Sequence, residues 1–100
     1  MEIPKNLKVG SRIYKVKYPH IFTEITSLSG QTCHQVNEIR ITDKTNNAED
    51  IAPENLRITW WHEILHCIDV VYNNGNLDEA TIDRLGEGLT QVLVDNDLLK

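Results

Sequence analysis

The period of hydrophobic and polar positions changes midway along the chain. In RIYKVKY, residues 12 to 18, Tyr14, Val16 and Tyr18 alternate with Lys15 and Lys17. That period of two gives a strand one apolar and one polar face. LKVG, residues 7 to 10, precedes it across a Gly-Ser turn signal, and QTCHQ and EIRIT flank a turn at Val36-Asn37, which predicts a hairpin. DKTNNAED, residues 43 to 50, reads as a polar loop. From Pro53, well placed near the first position of a helix, the period becomes helical. Trp61, Ile64, Leu65, Ile68, Val71 and Tyr72 recur at helical spacing as far as Asn73-Asn74-Gly75, a stop signal able to supply a left-handed cap. A second helix is predicted from the N-cap Asp78 to about Leu93, with an apolar stripe of Ile82, Leu85, Leu89, Val92 and Leu93. So short a connection predicts antiparallel helices. The expected class is α+β, a small antiparallel sheet from the N-terminal half packed on two antiparallel helices, in one domain over residues 1–100.

One hundred residues suit a single modest core. A net charge of −5 argues against a nucleic-acid or anionic-membrane surface. Lys5, Lys8, Lys15 and Lys17 read as solvated strand faces rather than a binding patch. No apolar run approaches a membrane span and the N-terminal stretch has no signal-peptide character, so an intracellular address is expected. Cys33 and Cys67 are expected as free thiols there.

The chemistry concentrates in WWHEILHCID, residues 60 to 69, where His62, Glu63 and His66 spell HExxH. On a helix, positions four apart share a face, so both imidazoles can reach one Zn²⁺ at the ~2.0–2.1 Å of such bonds. Glu63 sits about 100° further round, outside the ligand row but within reach of a water in the metal's open position. A metal there acidifies that water and polarises a carbonyl, and the carboxylate takes the proton. The histidine pair borders the apolar side of its helix and should be only partly exposed.

A third ligand must come from elsewhere. On the second helix Glu79 lies about 80° from the centre of the apolar stripe, Asp83 about 120° and Glu87 about 160°, so Glu79 is nearest the buried side and Glu87 points to solvent. Glu79 continues the row Ile82, Gly86, Leu89, where Gly86 asks for close helix approach as its packing reason. Asp69, on the histidine stripe of the first helix, is the rival ligand. Its expected part is to receive the outer N–H of a ligand histidine; a salt bridge with Arg84 is the alternative. Cys33 and His34, adjacent in a predicted strand, point to opposite faces and are read, with His20, as structural. Trp60 and Trp61 are read as core.

HEILHCID, the short Asn/Gly turn and DEATIDRLGEGLTQVLVDN together resemble the small HExxH proteins of phages and prophages. These are similar to zincin-type metallopeptidases, with a more distant likeness to the ImmA/IrrE family. The first half resembles them more loosely, through IPKNLKVGSRIYKV and GQTCHQVNEIRIT. The resemblance implies a minimal gluzincin architecture in which the third ligand is a Glu on the following helix, often within ExxxD. Glu79 to Asp83 match that pattern, which implies Glu79 as ligand and Asp83 in support. The 13 residues from His66 to Glu79 are fewer than in larger gluzincins. The resemblance also implies an edge strand that aligns an extended peptide by strand addition, for which EIRIT is the candidate.

The expected function is therefore a zinc-dependent peptidase, with Zn²⁺ on His62, His66 and Glu79 and Glu63 as general base. Its substrate is a peptide or protein; either it cuts one particular partner or its groove is completed by a partner or a second copy, and its place is the cytoplasm of a bacterial host if phage-derived. The alternatives are a metal-stabilised binding module without turnover, and a metal-free scaffold in which the histidines pair with Asp69 and Asp83.

Overall fold

The computed structural model describes residues 2–23 and 28–99. Four strands come first: β1 (Asn6–Val9), β2 (Arg12–Lys17), β3 (Gly30–Cys33) and β4 (Glu38–Ile41). Gly10, at φ 59°, takes the left-handed conformation that lets a two-residue turn close β1 onto β2, with Val9 opposite Arg12. Asn37, at φ 51°, does the same in the turn between β3 and β4. The four lysines of the N-terminal region are all exposed.

The strand order is β1-β2-β4-β3, and β2 pairs with β4 in parallel, Val16 opposite Ile39. The sheet is therefore mixed, where the sequence suggested an antiparallel one. The expected edge strand EIRIT is also interior, because β4 is paired on both sides. Its residues explain the placement: Ile39 and Ile41 are fully buried, and the central position buries them best. Among the described residues the edges are β1 and β3.

The helices are α1 (Pro53–Asn73) and α2 (Glu79–Asp95). α1 ends where Asn74 turns left-handed, and the N–H groups of Asn74 and Gly75 both donate to the Asp69 carbonyl. α2 begins at Asp78, whose carboxylate accepts from the Thr81 N–H at 2.8 Å. α1 lies on the sheet, packing Trp60, Ile64 and Cys67 against Val9, Tyr14, Ile39 and Ile41. Each large apolar side chain buried in full there contributes roughly 1.5–3 kcal/mol. Trp60 belongs to this core and Trp61 packs at its margin. Burial pushes the Cys67 thiol up to about 12, so it stays protonated, and both cysteines are free.

α2 runs back along α1. Leu77 meets Asp69, Glu79 meets His66, and a Cβ on Gly86 would lie 3.4 Å from the Cα of His62. The buried face of α2 is Ile82, Gly86 and Thr90, and the Thr90 hydroxyl donates to the Gly86 carbonyl at 2.7 Å. Leu85 and Val92, expected in the buried stripe, are about half exposed, as are Ile68 and, still more so, Tyr72 on α1. Small residues decide this face: a row through Gly86 lets the backbones approach, and Leu85 and Val92 are turned aside while Ile82 is buried and Leu89 and Leu93 are half-buried. Among the described residues no helix is long and apolar enough to cross a membrane.

Candidate metal centre

The site forms where α1 passes between β3 and the first turn of α2. His62 and His66 stand one turn apart with side chains only 14% and 23% exposed, which places them at the margin of the apolar face as their spacing implied. Their Nε2 atoms are 3.1 Å apart. The carboxylate of Glu79, the first residue of α2, spans them, with Oε1 2.8 Å from His62 Nε2 and Oε2 3.0 Å from His66 Nε2. The 13-residue gap is long enough, because the turn delivers Glu79 directly beneath the histidine pair.

His62, His66 and Glu79 form the one three-donor group of metal-ligating type among the described residues. Tetrahedral zinc with bonds of ~2.0–2.1 Å sets its donors about 3.3 Å from one another. The observed separations of 2.8 to 3.1 Å fall a few tenths of an ångström inside that value. Two imidazoles and a carboxylate are also a donor set that suits zinc. The residues present fit the ion.

Glu63 points from α1 towards the sheet and is almost completely buried, at 4% exposure. The Thr32 hydroxyl of β3 donates to its Oε1 at 2.7 Å, and its Oε2 lies 3.9 Å from His62 Nε2. Burial pushes its carboxyl above the ordinary carboxylate range, while the Thr32 hydrogen bond and the two histidines pull the other way. The close approach of β3 depends on Gly30, where a Cβ would fall 2.7 Å from Thr59 Cγ2 and 3.0 Å from Glu63 Oε2. The edge strand can lie over the carboxylate only because that position has no side chain.

Asp83 sits one turn beyond Glu79, its Oδ1 2.9 Å from His62 Nδ1. A carboxylate there receives the outer N–H of the ring and leaves Nε2 bare on the side of the cluster. Asp69 does not do this, contrary to its expected part. Its carboxylate accepts from the Asn73 amide at 2.9 Å and from the Leu77 backbone N–H at 3.2 Å, and is buried at the α1–α2 turn. It is neither a ligand nor an Arg84 partner but the clasp of that turn. Asp69→Ala leaves those donors without their acceptor, so a stability loss of roughly 1–3 kcal/mol is expected on thermal melting. Zinc uptake should be unchanged in the same variant.

Glu87 is exposed, as the helical wheel implied. His20 stacks edge-on with Phe22 and takes no part in the cluster. His34 is the residue that sequence reasoning missed. It lies past the end of β3, in the turn, so strand alternation does not govern it. Its ring lines a hollow of about 440 Å³ together with Gln31, Thr32, His62, Glu63, His66 and Glu79. A second hollow of about 270 Å³ continues past Ser29, Thr59 and Asp83, and the two share Gly30, His62, Glu63 and Glu79. An open groove thus crosses the cluster beside the edge strand.

The arrangement defines a small α+β protein whose helix-borne histidines and a glutamate from the next helix converge beside a buried carboxylate. No family model, no curated protein and no solved structure matches the chain.

Proposed function

We propose that the protein is a gluzincin-like zinc peptidase, related to the small HExxH proteins it resembles, that acts on extended peptide. The convergence of His62, His66 and Glu79 on one point beside buried Glu63 is the observation that carries this reading. When bound, zinc supplies a Lewis acid for the scissile carbonyl and lowers the pKa of water. His62, His66 and Glu79 are the residues that would hold the ion. Glu63 takes the proton as the water oxygen bonds to the carbonyl carbon. It then hands that proton to the amine nitrogen as the C–N bond breaks. Burial raises the basicity of the carboxylate for the first transfer. Thr32 is a positioning residue that fixes the carboxylate through Oε1, and Asp83 holds His62 with Nε2 turned to the cluster.

β3, rather than the interior β4, is the strand on which substrate would lie. It is paired only with β4 among the described residues, and its residues Gly30, Gln31 and Thr32 line the groove. A peptide added along that edge passes directly across Glu63 and the histidines.

The test is incubation of the zinc-loaded protein with a mixture of unstructured peptides, with products read by mass spectrometry. New amino termini from the wild type, absent with Glu63→Gln or after chelation, support the reading. An unchanged mixture removes it. Thr32→Val removes one charge-assisted hydrogen bond of about 1.5 kcal/mol, so kcat should fall roughly tenfold, measured at saturating substrate.

A metal-stabilised binding module is the second reading, favoured by one observation. Only Ile82, Gly86 and Thr90 of α2 are fully buried, with Leu89 and Leu93 half-buried, so a link beyond apolar packing would add to the hold of α2 on α1. An ion shared between histidines on α1 and Glu79 on α2 would join the two helices.

A further inference from the structure

We propose that His34 is a neutral hydrogen-bond donor of the site, offering Nε2–H to the carbonyl oxygen of a bound peptide, with Tyr14 and Arg12 holding it in that tautomer. This rests on the hydrolytic reading of the groove. The tautomer follows from the chain of partners. Arg12 Nη1 donates to the Tyr14 hydroxyl oxygen at 3.4 Å, and Tyr14 Oη is 3.1 Å from His34 Nδ1. Guanidinium can only donate, so the hydroxyl hydrogen remains to be given to another group. Its neighbours are the His34 nitrogen and the Cys67 sulfur, and the protonated thiol is much the weaker acceptor. The proton therefore points at Nδ1, which must be bare, and the ring hydrogen sits on Nε2.

Tyr14 is fully buried and its ring meets the imidazole edge-on, with ring centres 6.0 Å apart and planes at 86°. The ring is thereby held at its Nδ1 edge. Nε2 has no hydrogen-bond partner among the described residues, and the side chain lines the hollow that contains His62, Glu63, His66 and Glu79. Burial pushes the His34 pKa down, with His66 and Arg12 adding to it and Asp69 opposing, in the same sense as the bare Nδ1 that Tyr14 requires. A neutral donor in the same hollow as the general base can serve a developing oxyanion, and the gain is made in the transition state rather than on binding.

Two measurements test this. Long-range ¹H–¹⁵N correlation spectra of the labelled, metal-free protein read the tautomer directly, with His34 assigned by its loss in His34→Gln. Hydrogen on Nε2 in the wild type, shifting towards Nδ1 in Tyr14→Phe, is expected. Hydrogen on Nδ1 in the wild type overturns the proposal. In the zinc-loaded protein, binding of a peptidyl phosphonamidate, which carries an anionic oxygen at the reacting centre, is then titrated. His34→Phe should weaken it about 100-fold at unchanged zinc content and melting temperature, and His34→Gln, which restores an N–H, should recover most of the loss. Equal binding by His34→Phe overturns the contact even if the tautomer is as described. Failure of the wild type itself to take up zinc is a separate result: it removes the hydrolytic reading, and this role with it, whatever the tautomer.

Discussion

Glu63→Gln should abolish peptide hydrolysis, with kcat lower by 10²–10⁴, roughly the contribution of a positioned general base, while zinc content stays at that of the wild type. The same substitution should make the metal-free protein more stable at neutral pH. Glu63 is a carboxyl buried against the sheet, and that burial raises its pKa in the fold. A group whose folded pKa is raised favours the fold below its unfolded pKa, and that contribution is lost as pH rises through the folded value. Wild type and Glu63→Gln should therefore melt at similar temperatures near pH 4. They should separate as pH rises, with Gln the more stable, because the Gln side chain still accepts from Thr32 and has no charge to desolvate. Melting curves of chelator-treated protein across that range check it. A Gln variant less stable than wild type at pH 7 would show that the carboxylate is held by more than Thr32. A residue that costs stability where chemistry needs it is the usual mark of an active group.

Zinc addition to the wild type should raise the melting temperature by about 15 °C or more when free zinc exceeds Kd 1,000-fold, since binding to the folded state alone then contributes about 4 kcal/mol. The shift should vanish in His66→Ala and shrink strongly in Glu79→Ala, and it should survive in Asp69→Ala. The donors already lie 2.8 to 3.1 Å apart, so little rearrangement precedes binding, and Glu79 comes from a helix of which only Ile82, Gly86 and Thr90 are fully buried. A melting temperature unmoved by zinc in the wild type would mean that the cluster is only a hydrogen-bonded histidine–glutamate group.

Most of the helical half was legible in the sequence, because its signals are local. Pro53 and Asn73-Asn74-Gly75 bound α1, Asp78 caps α2, and the i, i+4 spacing of His62 and His66 carries straight into shared geometry. Glu79 was legible through its angle on the wheel, since only that acidic residue continues the Ile82–Gly86 row. The parallel pairing of β2 with β4 was not, because it joins Lys15–Lys17 to Glu38–Arg40 and no local pattern encodes a partner so distant. Leu85 and Val92 misled because the glycine row, rather than the centre of the apolar stripe, sets the contact face. Asp69 was read for its place on the histidine stripe. The signal that it serves the turn was the need of that Asn/Gly connection for an acceptor, which its carboxylate meets at Leu77. His34 was hidden by treating it as part of a strand that ends one residue before it.

Elemental analysis of the purified chain after zinc loading and gel filtration asks whether His62, His66 and Glu79 hold one metal ion. One zinc per chain is expected in the wild type, in Glu63→Gln and in Asp69→Ala, and loss of that zinc in His66→Ala and Glu79→Ala. A wild type that carries no zinc, or a Glu79→Ala variant that retains all of it, would mean that these three side chains do not form a metal site.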